Sequence, residues 1–155
     1  MSSARASQYA VKYTTHREFR SKLKHIQTYN SQARIIGLDV GRKYTGLSIS
    51  DRDMKSARGF KTVQIDDGQN DFYGFCQYLR NTIRGKHVKG IVVGYPLNAE
   101  GTATRHCVFI QDFLEQIAAQ KVFRSLPITL VNEYNSSMMA KVQIVKMLQT
   151  GGRGN

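Results

Sequence analysis

Two carboxylates stand out by position. Asp39 interrupts the apolar run Arg34-Ile35-Ile36-Gly37-Leu38-Asp39-Val40. A charge inside such a strand is costly unless it is paired, hydrogen-bonded or bound to a cation. Glu133 closes a second apolar run, which opens after Pro127. Strand C-termini in open α/β sheets are where ligands collect. If the two strands lie close together, Asp39 and Glu133 can share Mg²⁺, a cation that prefers oxygen ligands. The chemistry within reach is then metal-assisted hydrolysis. The alternative for Asp39 is structural, as the cap of the turn that follows it.

Beside Asp39 stand Arg42, Lys43 and Tyr44. Two cations there can position phosphates while the tyrosine stacks on an exposed base or sugar. An ordinary solvated hairpin tip would look the same. The polar loop from Pro96 to Thr104 is a candidate opposite wall, with Gly101 giving a turn and Asn98 a donor. Met138 and Met139 read as core.

Strand and helix signals supply the frame for these residues. The run at 34–40 is apolar on both faces, as expected of a central strand. Gly41 to Tyr44 turns the chain, Thr45 to Ser50 returns, and Gly59 to Ile65 is a third strand. Phe72, Phe75, Cys76, Leu79 and Ile83 form one stripe of a helix over Asn70 to Arg84. Val88 to Gly94 is a fourth strand, and Ile110, Phe113, Leu114, Ile117 and Ala118 mark a second helix. Ile128 to Glu133 is the fifth strand, and Met138, Val142 and Val145 mark a third helix that ends near Gly151 and Gly152. The order β-β-β-α-β-α-β-α implies an α/β fold with a mixed five-stranded sheet and helices on its faces.

Composition sets the class of partner. The 155 residues carry 23 Lys and Arg against 11 Asp and Glu, a net charge of +12. Such an excess favours a polyanion, nucleic acid before anionic membrane. No apolar run approaches the roughly 18 residues of a membrane span. Cys76 and Cys107 form no C-x-x-C pair and read as reduced thiols. His16, His25, His87 and His106 show no metal-ligand spacing, and no Walker A loop is present.

Residues 1–33 read as a basic N-terminal arm, with Arg5, Lys12, Arg17, Arg20, Lys22 and Lys24 against Glu18 alone. Thr15-His16-Arg17-Glu18 has the form of a capping box. Phe19, Leu23 and Ile26 then make one apolar stripe on a cationic helix. That helix either packs on its own domain or offers Arg17, Arg20 and Lys24 to nucleic acid. In the second case the arm also docks on ribosomal or assembly-factor proteins. The first dozen residues, rich in Ser and Ala and free of acids, resemble an organellar transit peptide. A mitochondrial location is the expectation, with cytoplasm and plastid as alternatives.

Gly37-Leu38-Asp39-Val40-Gly41-Arg42-Lys43-Tyr44-Thr45-Gly46-Leu47-Ser48-Ile49-Ser50-Asp51 resembles the first hairpin of the YqgF/RuvX family of candidate Holliday junction resolvases and pre-16S rRNA nucleases. Ile91-Val92-Val93-Gly94-Tyr95-Pro96-Leu97-Asn98 with Gly101-Thr102 resembles its second block, where leucine usually replaces Tyr95. Leu126-Pro127-Ile128 running into Asn132-Glu133-Tyr134-Asn135-Ser136-Ser137 resembles the third. The resemblance implies an RNase H-like domain over 34–150, a short tail at 151–155, and three metal-binding acids. Asp39 matches the first acid and Glu133 the second. The third stands on a final helix beyond a Gly-Gly that Gly151 and Gly152 resemble, and the domain is expected to lack that helix. Asn132 replaces the usual Asp and Tyr134 the usual Arg.

The expectation is therefore an RNA-binding protein of rRNA maturation or organellar ribosome assembly, with weak or lost nuclease activity and doubtful Mg²⁺. The alternatives are an active Mg²⁺-dependent structure-specific endonuclease and a fragment of an actin- or sugar-kinase-like ATPase. Leu38-Asp39-Val40-Gly41 also resembles a phosphate loop of that last superfamily. Its nucleotide site lies between two domains, and this length supplies one.

Overall fold

The computed structural model describes residues 11–65 and 71–132. Helix α1 (His16–Gln27) comes first, followed by β1 (Arg34–Val40), β2 (Tyr44–Ser50) and β3 (Ala57–Gln64). Helix α2 (Asp71–Gly85), β4 (Val88–Tyr95), α3 (Arg105–Ala119) and β5 (Ile128–Asn132) complete the described order. The strands form one sheet in the order β3-β2-β1-β4-β5. β1 pairs antiparallel with β2 and β2 with β3, whereas β1–β4 and β4–β5 are parallel. The mixed sheet and the positions of its five strands follow the alternation of apolar segments. The helix expected around Met138 to Val145 lies outside the described residues.

Period-two alternation divides the sheet between two cores. Ile36, Leu38 and Val40 join Leu47, Ile49, Ile91 and Val93 under Phe75 and Leu79 of α2 and Ile110, Leu114 and Ile117 of α3. Ile35, Val92 and Val131 point the other way and join Phe19 and Leu23 of α1 with Met54. Asp39 shares this second face with Ile35 and Gly37.

Helix α1 starts as its capping signal requires, because the Thr15 hydroxyl accepts from the Glu18 amide at 3.1 Å. The described part of the expected arm is packed on the sheet. Phe19 and Leu23 are fully buried. A Cβ at Gly90 of β4 would sit 2.7 Å from Phe19 Cζ, so glycine there is what lets α1 approach. Tyr13 forms a parallel bridge with Ile128, and the Thr14 amide donates to the Ile128 carbonyl at 2.8 Å. Helix α1 and the sheet thus share one core. An apolar stripe of three residues predicts a buried face without saying which surface buries it, and here the surface is the chain's own sheet.

Candidate functional site

Asp39 sits at the C-terminal end of β1, opposite Gly46 of β2. The missing side chain at Gly46 keeps the space beside the carboxylate open, since a Cβ there would lie 3.6 Å from Asp39 Cβ. Asp39 is half-buried, and burial raises its pKa above the usual carboxylate value while the charge of His106 offsets part of that rise. One rung along the same face, Ser48 pairs with Gly37. Its hydroxyl is buried without a hydrogen-bond partner among the described residues. An orphaned hydroxyl beside a desolvated carboxylate marks a place for a polar occupant.

The turn after Asp39 is tight. The Gly41 amide donates to the Tyr44 carbonyl at 2.8 Å. A Cβ at Gly41 would come within 2.6 Å of that oxygen, so only glycine fits. Arg42, Lys43 and Tyr44 are all exposed at its tip. Tyr44 is 54% exposed, which leaves its ring open to stacking. Arg42 is anchored by its guanidinium, which lies 5.3 Å from the Phe109 ring centroid on α3.

His106 is the residue that the sequence pattern did not single out. Its Nε2 lies 2.9 Å from the Val40 carbonyl. A carbonyl only accepts, so Nε2 carries the proton. The ring stacks on Phe109 at 5.9 Å, and Phe109 stacks on Phe113 at 6.3 Å. The i, i+3, i+7 spacing of His106, Phe109 and Phe113 was the available signal. It places all three on the face of α3 that meets the end of β1.

The remaining expected residues divide. Asn98 is engaged inside its own loop: Oδ1 accepts from the amides of Glu100 and Thr102, and Nδ2 donates to Thr102 Oγ1. These bonds fix the Asn98 amide in the wall of the loop, and of the two N–H donors on Nδ2 one goes to Thr102. Arg20 and Lys24 line a groove with Leu23, Asp53, Met54 and Lys55. That groove adjoins the β2–β3 turn, at the opposite end of β1 from Asp39, because Ser50 packs beside Ile35. The structure therefore does not bring them to Asp39. Arg17 is exposed on α1. Glu133 lies outside the described residues. β5 is described to Asn132, which pairs with Tyr95.

The family match decides the assignment. Residues 33–154 match the RuvX family, described as Holliday junction resolvase. The chain belongs to the RuvX (YqgF) family. A Geobacillus sp. (strain WCH70) relative, named as a candidate pre-16S rRNA nuclease, is 34% identical over 112 residues, covering 72% of this chain and 78% of that protein. A Bacillus subtilis (strain 168) relative with the same name is 30% identical over 112 residues, with coverage of 72% and 78%. Thermus thermophilus RuvC, solved with a Holliday junction substrate, superimposes with a TM-score of 0.52 at 9% identity, over 76% of this chain and 92% of that one. At that identity the likeness concerns the fold, which is RNase H-like.

For a RuvX-family chain the question is whether these residues fit a divalent cation. Among the described residues no three His, Cys, Asp or Glu side chains gather closely enough to hold a metal. Asp39 is the described carboxylate at the end of β1. The half-buried Asp39 and the orphaned Ser48 suit a hard cation that keeps several of its waters.

Proposed function

We propose that this chain binds RNA at the Asp39 end of its sheet and serves rRNA maturation, with phosphodiester hydrolysis weak. The observation that carries the reading is the pairing of a half-buried acid with an exposed basic turn: Asp39 ends β1, and Arg42, clamped on Phe109, begins the turn beside it. Phosphates held by Arg42 and Lys43 would lie next to the carboxylate, and Tyr44 would stack on a neighbouring base. The names of the relatives support rRNA as the target.

Asp39 and Glu133 are the residues that would hold Mg²⁺. The ion supplies activation of water and neutralisation of charge on the phosphate. Asp39 would hold one side of the site, Ser48 would bond a water beside it, and His106 would fix the strand end through Val40. Asn132, in place of the usual Asp, lowers the negative charge that attracts cations, and this supports weak hydrolysis. The acid-free first dozen residues support a mitochondrial setting within organellar ribosome assembly.

The test uses the full chain with a precursor 16S rRNA fragment and a four-way DNA junction, each in Mg²⁺ and in Mn²⁺. Salt-sensitive RNA binding with slow or absent cutting is expected. Rapid cutting that disappears in Asp39→Asn would replace this reading with the active nuclease, which the open, desolvated Asp39 site favours. RNA affinity that is indifferent to salt would remove the basic turn from the interface.

A further inference from the structure

The pole opposite Asp39 carries a second concentration of charge. Helices α2 and α3 end there, and β4 and β5 begin there. Between residues 80 and 90 and between 116 and 127 the chain has Arg80, Arg84, Lys86, Lys89, Lys121 and Arg124, and not one Asp or Glu. Four of the six, Arg80, Arg84, Lys89 and Arg124, line a single cleft of about 370 Å³. Its floor includes the apolar Ile83, Val88 and Phe123. Arg20 and Lys24 stand at the same end on the other face of the sheet.

Part of this has a plain structural cause. Cations near a helix C-terminus interact favourably with its partial negative charge, which suits Arg84 and Lys121. That cause does not reach Lys89, at the start of a strand, nor Arg124, in the loop before β5. It also does not explain the backbone. Four non-glycine residues among those described have positive φ, and three of them fall in these two segments: His87 at 54°, Lys121 at 58° and Arg124 at 48°. Lys121 follows the C-cap of α3, a position where glycine is the usual choice. Two cationic side chains are therefore kept where the backbone favours glycine. Strain that outlasts an easy remedy points to a use for the side chain.

We infer that this pole is a second contact for the RNA phosphodiester backbone, separate from the Asp39 end. The inference rests on the RNA-binding reading above and extends it. The six cations of these two segments, which hold no acid, complement a polyanion, and Arg84 and Arg124 line the same cleft. The eight residues of β4 set the spacing, because Val88 and Tyr95 are roughly 23 Å apart at about 3.3 Å per residue. An RNA that touches both ends must extend along the whole domain, so the fold grips long or branched RNA in preference to short.

The test exploits the strained backbone. Lys121→Gly and Arg124→Gly remove two cations while relaxing positive-φ positions, and Arg84→Gln removes a third on an exposed helix face. The full chain with all three changes should melt at or above the wild-type temperature. Binding is read as the slope of log affinity against log salt, for one RNA stem shorter than β4 and one more than twice its length. For the long stem the slope should fall by about one per cation removed, and for the short stem by less. Arg42→Ala with Lys43→Ala should lower it for both. If the triple variant keeps the wild-type slope on long RNA, the second contact is overturned while the Arg42 site stands, and an acidic protein partner becomes the occupant to seek. If the wild-type chain binds neither stem, both readings fall together.

Discussion

His106 ties helix α3 to the end of β1, its Nε2 donating to the Val40 carbonyl at 2.9 Å, one residue beyond Asp39. The same ring stacks on Phe109, which in turn carries the Arg42 guanidinium. One short stretch of α3 thus fixes both the acid and the basic turn. Replacing His106 by Ala should lower stability by about 1 kcal/mol, the usual contribution of a single hydrogen bond. It should also raise the Asp39 pKa further, because His106 now offsets the effect of burial. Thermal unfolding and a carboxyl titration by NMR check the two parts. An unmoved Asp39 titration would show that the histidine is a packing contact alone.

The raised pKa of Asp39 has a sign that can be measured. Its folded value lies above its unfolded one, so the stability it contributes is full below the ordinary carboxylate range. That stability is lost as pH rises through the raised value. At neutral pH without divalent ions, Asp39→Asn should therefore melt higher than wild type, with the gap closing in acid. Mg²⁺ should raise the melting temperature of the wild type, since a ligand of the folded state stabilises it by mass action. It should leave Asp39→Asn unchanged. A variant that melts lower at every pH would assign Asp39 the role of a turn cap.

Tyr13 supplies a test of the N-terminal segment at alkaline pH. Burial pushes its phenol up to about 12, helped by the negative charges of Glu115 and ionised Tyr95. The neutral form is the one that the fold favours, so stability should fall as pH rises from about 10 to 12. Two units on a fully buried phenol correspond to roughly 2.7 kcal/mol. Tyr13 is only about half buried, and solvent screening reduces this to roughly 1 kcal/mol. Tyr13→Phe should flatten that part of the stability profile. An identical alkaline fall in both proteins would place the loss elsewhere.

What the sequence made legible followed local rules. Asp39 showed itself as a charge in an apolar strand, Thr15 as a cap three residues before Glu18, and the strands by period and turn chemistry. The contact of His106 with Val40 spans 66 residues, and that of Phe19 with Gly90 joins a helix to a strand far along the chain. No local pattern encodes which distant surface a stripe will meet. The loop around Asn98 is a related case. Its amide was visible in the sequence, but not the Thr102 hydroxyl that accepts one of its two N–H groups. The clustering of Lys89 with Arg124 at one pole likewise needed the parallel pairing of β4 with β5.

Gly90→Ala tests the placement of α1 directly. The added methyl would meet Phe19 Cζ at 2.7 Å and Leu23 Cδ2 at 3.2 Å, both on fully packed side chains. Overpacking of this kind costs about 1–3 kcal/mol. The melting temperature should fall by several degrees, and in a Phe19→Ala background, itself less stable, the further loss caused by Gly90→Ala should shrink, because the atom it meets is gone. If Gly90→Ala melts like wild type, α1 is not held against β4.

The last prediction concerns Asn132, where the resemblance to the family's third block implies an acid. Asn132 ends the described part of β5 and pairs with Tyr95, two strands from Asp39 across β4. A neutral amide there supplies no negative charge to draw a divalent cation toward the Asp39 end. Asn132→Asp adds one such charge, and changes next to a metal site commonly alter metal affinity or activity by about 10- to 100-fold. The substitution should therefore lower the Mg²⁺ concentration needed for half-maximal stabilisation and raise cleavage of precursor 16S rRNA, by about tenfold or more. Asp39→Asn in the same background should abolish the gain, since the added charge acts only through an ion that Asp39 helps to hold. Cleavage that rises but survives the loss of Asp39 would locate hydrolysis at another site. No gain in either metal affinity or cleavage would mean that the missing acid is not what limits hydrolysis in this chain.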